Sequence, residues 1–267
     1  MDLASKGTFD LDRRRNEVSL RSGYDGSLSF IGAGTIGSKV LQLMVPHVNC
    51  SNVTIWDCDI VESHNIANQV YGNSQIGKKK VLALAELVAY KLSPSREELL
   101  NLLGNSDYLE SKLPLSIKGI EYTRDDFLES NVVVVAPDTM SARDAAVNCG
   151  VLWGPDSPTD LIIEVRLGEA QHRNVAEVFF LDPKNDRHQK LWQAFYFSDD
   201  DAPEINPCDK VTVDSWSWVV SGYVVMLFEK WLKYEPIKPY YHMVFGEDGM
   251  PTFTKREIAA DVLRPNR

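Results

Sequence analysis

The stretch "IGAGTIGS" sets Gly32, Gly34 and Gly37 in G-x-G-x-x-G order. Each glycine has a physical task. The first makes a tight turn, the second lets a phosphate approach the backbone, and the third lets a helix pack closely on a strand. The free N–H groups and the dipole at the start of the following helix favour an anion. Asp57 follows twenty residues after Gly37 and is placed to hold a ribose hydroxyl. At this point NAD, FAD and ATP are all admissible. The next loop, "DCDIVESHNIANQVYGNSQIGKKKV" (57–81), narrows the choice. A triphosphate beside a second anion is costly, since each like-charge pair at ~4 Å and an effective dielectric of ~20 costs about 4 kcal/mol. Asn65, Asn68, Gln69 and one of Lys78, Lys79 and Lys80 supply the polar and cationic groups that offset this. Lysines at a helix N-terminus oppose its dipole, so three together point to an anion. The plain alternative is a solvated loop running into a lysine-rich helix.

These residues need a scaffold that brings strand ends together. "SLSFIGAG" (27–34) reads as an apolar strand, followed by a helix to about residue 48. "NVTIWD" (52–57) is a second strand and residues 77–92 are strongly helical, stopped by Pro94. Residues 95–117 read as a polar helical insert, and "IKGIEY" (117–122) as a strand. "NVVVVAPD" (131–138) is apolar throughout, as a parallel strand covered on both faces must be. "SARDAAVNCG" (141–150) is its helix, stopped by Gly150. Then come paired strands at 160–169 and 174–182, a helix near 187–197 and an acidic loop at 198–210. A long helix (211–234) and a terminal hairpin with an "EDG" turn within 235–267 complete the chain. The order is that of a Rossmann-like, doubly wound α/β fold: a mostly parallel sheet with antiparallel strands at its C-terminal side. With no linker or repeat, residues 1–267 read as one domain, preceded by a polar segment at 1–26.

Composition removes several function classes. A formal net charge of −10 disfavours general binding to nucleic acid or anionic membranes. The most apolar window, "WSWVVSGYVVMLFEKWL" (216–232), is interrupted by Ser, Gly, Glu and Lys and falls short of the ~20 residues of a membrane span, so it reads as a buried helix. Four scattered cysteines without a CxxC pair suggest neither a disulfide framework nor zinc. With no apolar leader in "MDLASKGTFDLDRRR", the chain reads as cytoplasmic with reduced thiols. Cys50, Cys58 and Cys149 read as structural, buried cysteines.

The ordered set "IGAGTIGSKV", "DCDIVESHNIANQ", "IGKKKV" and "DTMSAR" resembles the ATP-binding core of the ThiF/MoeB and ubiquitin-activating enzyme family over roughly residues 28–145, with a weaker continuation to 234. Those enzymes adenylate the C-terminal carboxylate of a ubiquitin-like or sulfur-carrier protein. The resemblance implies ATP and Mg²⁺ as cofactors and a ubiquitin-like or sulfur-carrier tail as partner. It also implies a homodimer, and in some members a downstream conjugating enzyme. By position, Asp57 would hold the ribose, with Asp59 and Asn65 near the nucleotide and phosphates. Lys80 would stabilise phosphate charge and Asp138 would bind magnesium. The end of a parallel strand supports the Asp138 assignment independently; the alternative is a helix N-cap ahead of Ser141. Arg143 reads as structural. Where the family has arginine before glutamine, this chain has Asn68, which carries no charge. Loss of one such donor typically lowers rate by about 10²–10³. Arg14, in "DRRRNE", matches an arginine that reaches a neighbouring protomer's phosphates; the alternative is a solvated basic run.

Cys208 stands on the crossover loop where the family carries its transfer cysteine, so the resemblance implies a thioester. A following helix and Lys210 would lower its pKa, while Asp209 and the run Asp199, Asp200, Asp201 oppose this. An ordinary loop thiol is the alternative. Two further readings stay open on sequence alone: a non-catalytic nucleotide-binding subunit, favoured by Asn68, and an NAD- or FAD-dependent oxidoreductase, favoured only by the glycine turn.

Overall fold

The computed structural model describes residues 26–45, 52–92, 115–170, 173–201, 213–246 and 251–254. The described strands form one sheet in the order β3-β2-β1-β4-β5-β6-β7-β8. Strands β1 (Ser27–Ile31), β2 (Asn52–Trp56), β3 (Leu115–Lys118), β4 (Val132–Val135) and β5 (Leu161–Ala170) run parallel. Strands β6 (Arg173–Leu181), β7 (Tyr240–Phe245) and β8 (Pro251–Thr254) continue the sheet antiparallel from β5. The mixed α/β sheet expected from the sequence is thus the one observed. The "EDG" turn of the terminal hairpin and the polar segment 1–25 lie outside the described residues.

Side-chain alternation explains the two layers. Leu28 and Phe30, Val132 and Val134, Ile163 and Val165 pack on one face with α1 (Thr35–Met44), α2 (Lys80–Leu92) and α5 (Val213–Leu232). Ile31, Val133, Val135 and Ile162 pack on the other with the segment after α3 (Met140–Asp144) and with α4 (Asp186–Gln193). All four valines of β4 are buried, as a central parallel strand requires. Helix α5 is the expected buried helix: Trp216, Val220, Val224, Leu227 and Phe228 join the first core, while Trp218, Val219 and Met226 stay exposed. No helix among the described residues is long and apolar enough to cross a membrane.

Several boundaries differ from expectation. The strand expected at 117–122 lies at Leu115–Lys118, so residues 115–116 belong to the sheet and not to a helical insert. The rest of that insert is outside the described residues. The helix expected over 141–150 is α3 followed by a π-helical turn, Ala145–Gly150. Gly150 does end it, and a Cβ there would lie 1.9 Å from the Tyr122 hydroxyl. Helix α2 begins at Lys80, later than residue 77.

One buried cation ties α1 to the loop at Asn68 and to α5. Lys39 of α1 is fully buried. Its Nζ donates to the Asn68 carbonyl at 2.7 Å, to Asp214 Oδ1 at 2.8 Å and to Ser217 Oγ at 2.7 Å. A buried ammonium is stable only with such a full set of acceptors.

Candidate functional site

A cavity of about 330 Å³ opens where the parallel strands end. The glycine turn forms one wall. Gly32 has φ +92°, and a Cβ there would lie 2.7 Å from the Ala136 carbonyl. A Cβ on Gly37 would lie 1.9 Å from the Gly32 carbonyl oxygen. Gly34 lines the cavity, and a Cβ on it would meet nothing within 4 Å. The first and third glycines therefore permit close packing, and the second faces space that a ligand can use.

Asp57 ends β2 and is locked by main-chain donors. Ala33 N donates to its Oδ2 at 2.7 Å and Asp59 N to its Oδ1 at 2.9 Å. Burial raises its pKa, and the Ala33 N–H and the nearby Lys80 charge work against that rise. Tyr71 donates to the Ala33 carbonyl at 2.6 Å, and burial, then Asp57 and Asp59, hold its phenol well above the usual value. The loop after Asp59 folds back on the start of α2: Lys80 N donates to the Asp59 carbonyl and Val61 N to the Lys78 carbonyl. This places Lys80 Nζ 2.7 Å from Asp59 Oδ2 at the cavity wall.

The three lysines separate by role. Lys78 pairs with Glu86 at 2.7 Å, and Lys79 donates to the Gly119 carbonyl at 2.7 Å. Both have local structural partners, so the argument that all three signal an anion is corrected: Lys80 alone lines the cavity.

Asn65 and Gln69 line the cavity, while Asn68 is buried outside its lining. Asn65 Oδ1 accepts from Glu62 N at 2.9 Å, which fixes the short 3₁₀ turn Ser63–Ala67. Asp138, exposed just past β4, also lines the cavity and makes no hydrogen bond or ion pair among the described residues. Its alternative role as a cap is filled by others. Thr139 Oγ1 accepts from Ala142 N, and Asp199 accepts from Met140 N at 2.5 Å and Ser141 N at 3.0 Å. Some burial raises the Asp199 carboxyl, but its bonds to Ser141 and Met140 outweigh that and hold it below the usual range.

Arg143 is structural, as its reading implied. Its Nη1 donates to Glu164 Oε1 at 2.6 Å and to the Val165 carbonyl at 2.9 Å, and its Nη2 donates to the Pro137 carbonyl. Glu164 is fully buried and also bonds Arg166 and the Trp192 indole N–H. Burial pushes its carboxyl up, but Arg166 and Arg143 outweigh that and hold it below the usual value.

Three residues that line the cavity each carry a buried polar atom without a partner among the described residues: Thr35 Oγ1, Trp56 Nε1 and Gln69 Oε1. A buried polar group without a bond costs about 1–3 kcal/mol. The sequence reading missed Thr35 and Trp56, and also Glu121 and Tyr122, which line the same space. Only Thr35 had a local signal, a hydroxyl at the first position after the glycine turn. Cys58, expected to be buried, is exposed on this wall, and Cys149 is exposed too, which corrects that expectation. Burial, then Asp59 and Asp57, push the Cys58 thiol up. Arg14, Cys50 and Cys208 lie outside the described residues.

Comparison with solved structures agrees with this fold. No curated protein matches the chain. The structure is similar to that of PaaA, with a TM-score of 0.57 and 14% identity over 92% of this chain and 68% of that one. It is similar to E. coli MccB solved with ATP, with a TM-score of 0.55 and 13% identity over 91% of this chain and 66% of that one. E. coli MccB solved with succinimide gives a TM-score of 0.57 and 12% identity over 94% and 71%. The chain thus spans about two thirds of the length of these structures. Residues 25–146, which hold the glycine turn, Asp57, Asp59, Lys80 and Asp138, match the model of the ThiF family.

Proposed function

We propose that the protein uses ATP to activate a substrate carboxylate as an acyl-adenylate. The observation that carries this is the cavity itself: the bare Gly34 face, Asp57, Lys80 and Asp138 surround one space at the strand ends. The fold likeness to a protein solved with ATP, and to the same protein solved with AMPCPP and MccA, supports it.

In this reading Asp57 orients the ribose, and the N–H groups around Gly34 and Thr35 meet phosphate oxygens. A carboxylate oxygen of the substrate attacks the α-phosphorus, the bond from that phosphorus to the bridging oxygen breaks, and pyrophosphate leaves. Lys80 stabilises the charge that gathers on the leaving group. Asp138 fits a magnesium ligand, because its carboxylate is exposed, uncommitted and beside the cavity, and such an ion takes one or two carboxylates plus phosphate oxygens. The ion, when bound, supplies neutralisation of phosphate charge. Four carboxylates, of Asp57, Asp59, Glu121 and Asp138, line the cavity, so that neutralisation is needed.

The finer assignment follows the family resemblance. The substrate is the C-terminal tail of a ubiquitin-like or sulfur-carrier protein, and the acyl group passes to Cys208 as AMP leaves. The active form is a cytoplasmic homodimer in which Arg14 reaches the neighbouring site, and a conjugating enzyme takes the product. A second reading, a nucleotide-binding subunit without chemistry, is favoured by the burial of Asn68 away from the cavity.

Carboxylate-dependent exchange of pyrophosphate into ATP separates these readings. The first predicts exchange with the right tail and its loss in Lys80→Ala and Asp138→Ala. Unchanged exchange in both variants removes the site assignment, and MgATP binding without exchange leaves the second reading. Intact mass after reaction, with a reducible adduct on Cys208, tests the transfer step.

A further inference from the structure

Asp138 sits on a turn that is gripped from both sides. The turn runs from Pro137, just past β4, to Ser141 in α3. On its entry side, the Arg143 guanidinium donates to the Pro137 carbonyl. On its exit side, Asp199 takes two main-chain donors: Met140 N reaches its Oδ1 at 2.5 Å and Ser141 N its Oδ2 at 3.0 Å. Both are bonds to a charged acceptor, the stronger kind. The Met140 side chain is buried, so the exit side has an apolar anchor as well.

The two grips belong to one frame. Glu164 Oε1 accepts from Arg143 Nη1 at 2.6 Å and from Arg166 Nε at 2.7 Å. Arg166 Nη1 in turn donates to the Phe195 carbonyl at 2.7 Å, four residues before Asp199. From Glu164 the contacts run one way to Pro137 and the other way to Phe195, and Asp199 closes the ring on Met140 and Ser141. Residues 198–201 are otherwise folded on themselves: Ser198 Oγ donates to Asp201 Oδ2 at 2.8 Å, and Asp201 N to the Ser198 carbonyl at 3.0 Å. Among the described residues, Asp199 supplies the hydrogen bonds that join this stretch to the rest of the fold. It is exposed, fills no core space and lies outside the cavity lining. Its contribution is those bonds.

We propose that Asp199 is a positioning residue for the candidate site: it holds the exit side of the turn so that the Asp138 carboxylate stays at the cavity wall. This rests on the adenylation reading, with Asp138 as a magnesium ligand, and adds to it a residue that acts through Asp138. A turn held at one end only can pivot about that end. With the Asp199 carboxylate removed, Arg143 still fixes Pro137, but the Met140 and Ser141 N–H groups turn to water and Asp138 gains freedom. Groups that orient a metal ligand from behind are typically worth about 10–100-fold in metal affinity. Asp199 grips the main chain beside the ligand and not the ligand itself, so the low end, about tenfold, applies.

The test uses the full chain and compares ATP affinity with saturating Mg²⁺ to ATP affinity in excess EDTA. The ratio of the two isolates what the ion adds. Asp199→Ala should lower that ratio by about tenfold. Asp199→Asn keeps the shape and one acceptor oxygen and should recover part of the loss. Asp138→Ala should abolish the gain from Mg²⁺, and adding Asp199→Ala to it should change the ratio no further, because both act through one carboxylate. A residue that served only the fold would lower the melting temperature and leave the ratio alone. A measurement on the nucleotide-free protein stands beside this: the Met140 and Ser141 amides should exchange hydrogen faster in Asp199→Ala, while the β4 amides stay protected as in wild type. An unchanged ratio in Asp199→Ala, a further loss on top of Asp138→Ala, or unaltered exchange at Met140 and Ser141 overturns the proposal. The wild type separates the two readings. A Mg²⁺ gain in wild type that Asp199→Ala leaves unmoved sinks the positioning role alone; a wild type that binds ATP no better with Mg²⁺ sinks the magnesium assignment with it.

Discussion

Replacing Lys80 by methionine separates its two interactions. In the free protein Lys80 pairs with Asp59, whose side chain is 58% exposed. Water reclaims that carboxylate when the partner goes, so the pair is worth about 0.2–1 kcal/mol to the fold. For a domain of this size that is a fall in Tm of at most about 4 °C. With nucleotide bound, the lost term is larger. One ammonium and one phosphate charge at ~4 Å interact by about 1 kcal/mol at the dielectric of water and about 4 kcal/mol at ~20. The cavity lies between these limits, so MgATP affinity should fall by about five- to thousandfold. Titration calorimetry with MgATP, beside a thermal melt without ligand, reads both numbers on one sample. Affinity within about twofold of wild type, or a Tm loss of about 10 °C, would show that Lys80 serves the fold and not a phosphate.

Gly34→Ala should leave the apo melt unchanged and weaken nucleotide binding, because the new methyl meets only the cavity. Gly37→Ala should cost about 1–3 kcal/mol or more by chemical denaturation, since its Cβ would overlap the Gly32 carbonyl. Cys58 and Cys149 should both react with a maleimide, and MgATP should slow only Cys58, as mapped by peptide mass spectrometry. Glu164→Gln should destabilise the fold by about 3–5 kcal/mol, because Arg143 and Arg166 lose a buried counter-charge. The folded Glu164 carboxyl is held below its ordinary 4.5, so its contribution is present above that pH and is lost as the pH falls through the lower folded value. Acid titration of stability should therefore be shallower in the variant over that interval.

The parts of the site written in consecutive residues were legible. The glycine turn, Asp57 and the fully apolar β4 each follow from local spacing, and the structure brings them to one place. What sequence hid depends on partners far along the chain. The lysine run looked uniform because Glu86 and the Gly119 carbonyl, which hold Lys78 and Lys79, come together with them only on folding. Placing β3 at 117–122 put Glu121 and Tyr122 inside the sheet. The strand ends at Lys118, and those two residues reach the cavity. Asp199 read as one acid in a run, and only folding brings it to the first turn of α3. Asn68 followed its neighbours into the expected site, but its burial sets it outside the cavity lining.

Lys39 gives the pocket a mechanical connection that its lining residues do not reveal. A single ammonium grips the carbonyl of residue 68 on one side and the first turn of the long helix on the other. The loop beside the pocket therefore cannot slide without tugging that turn. A ligand that draws the loop inward strains or relieves the joint between α1 and α5, so tension created at the pocket is delivered to the root of α5.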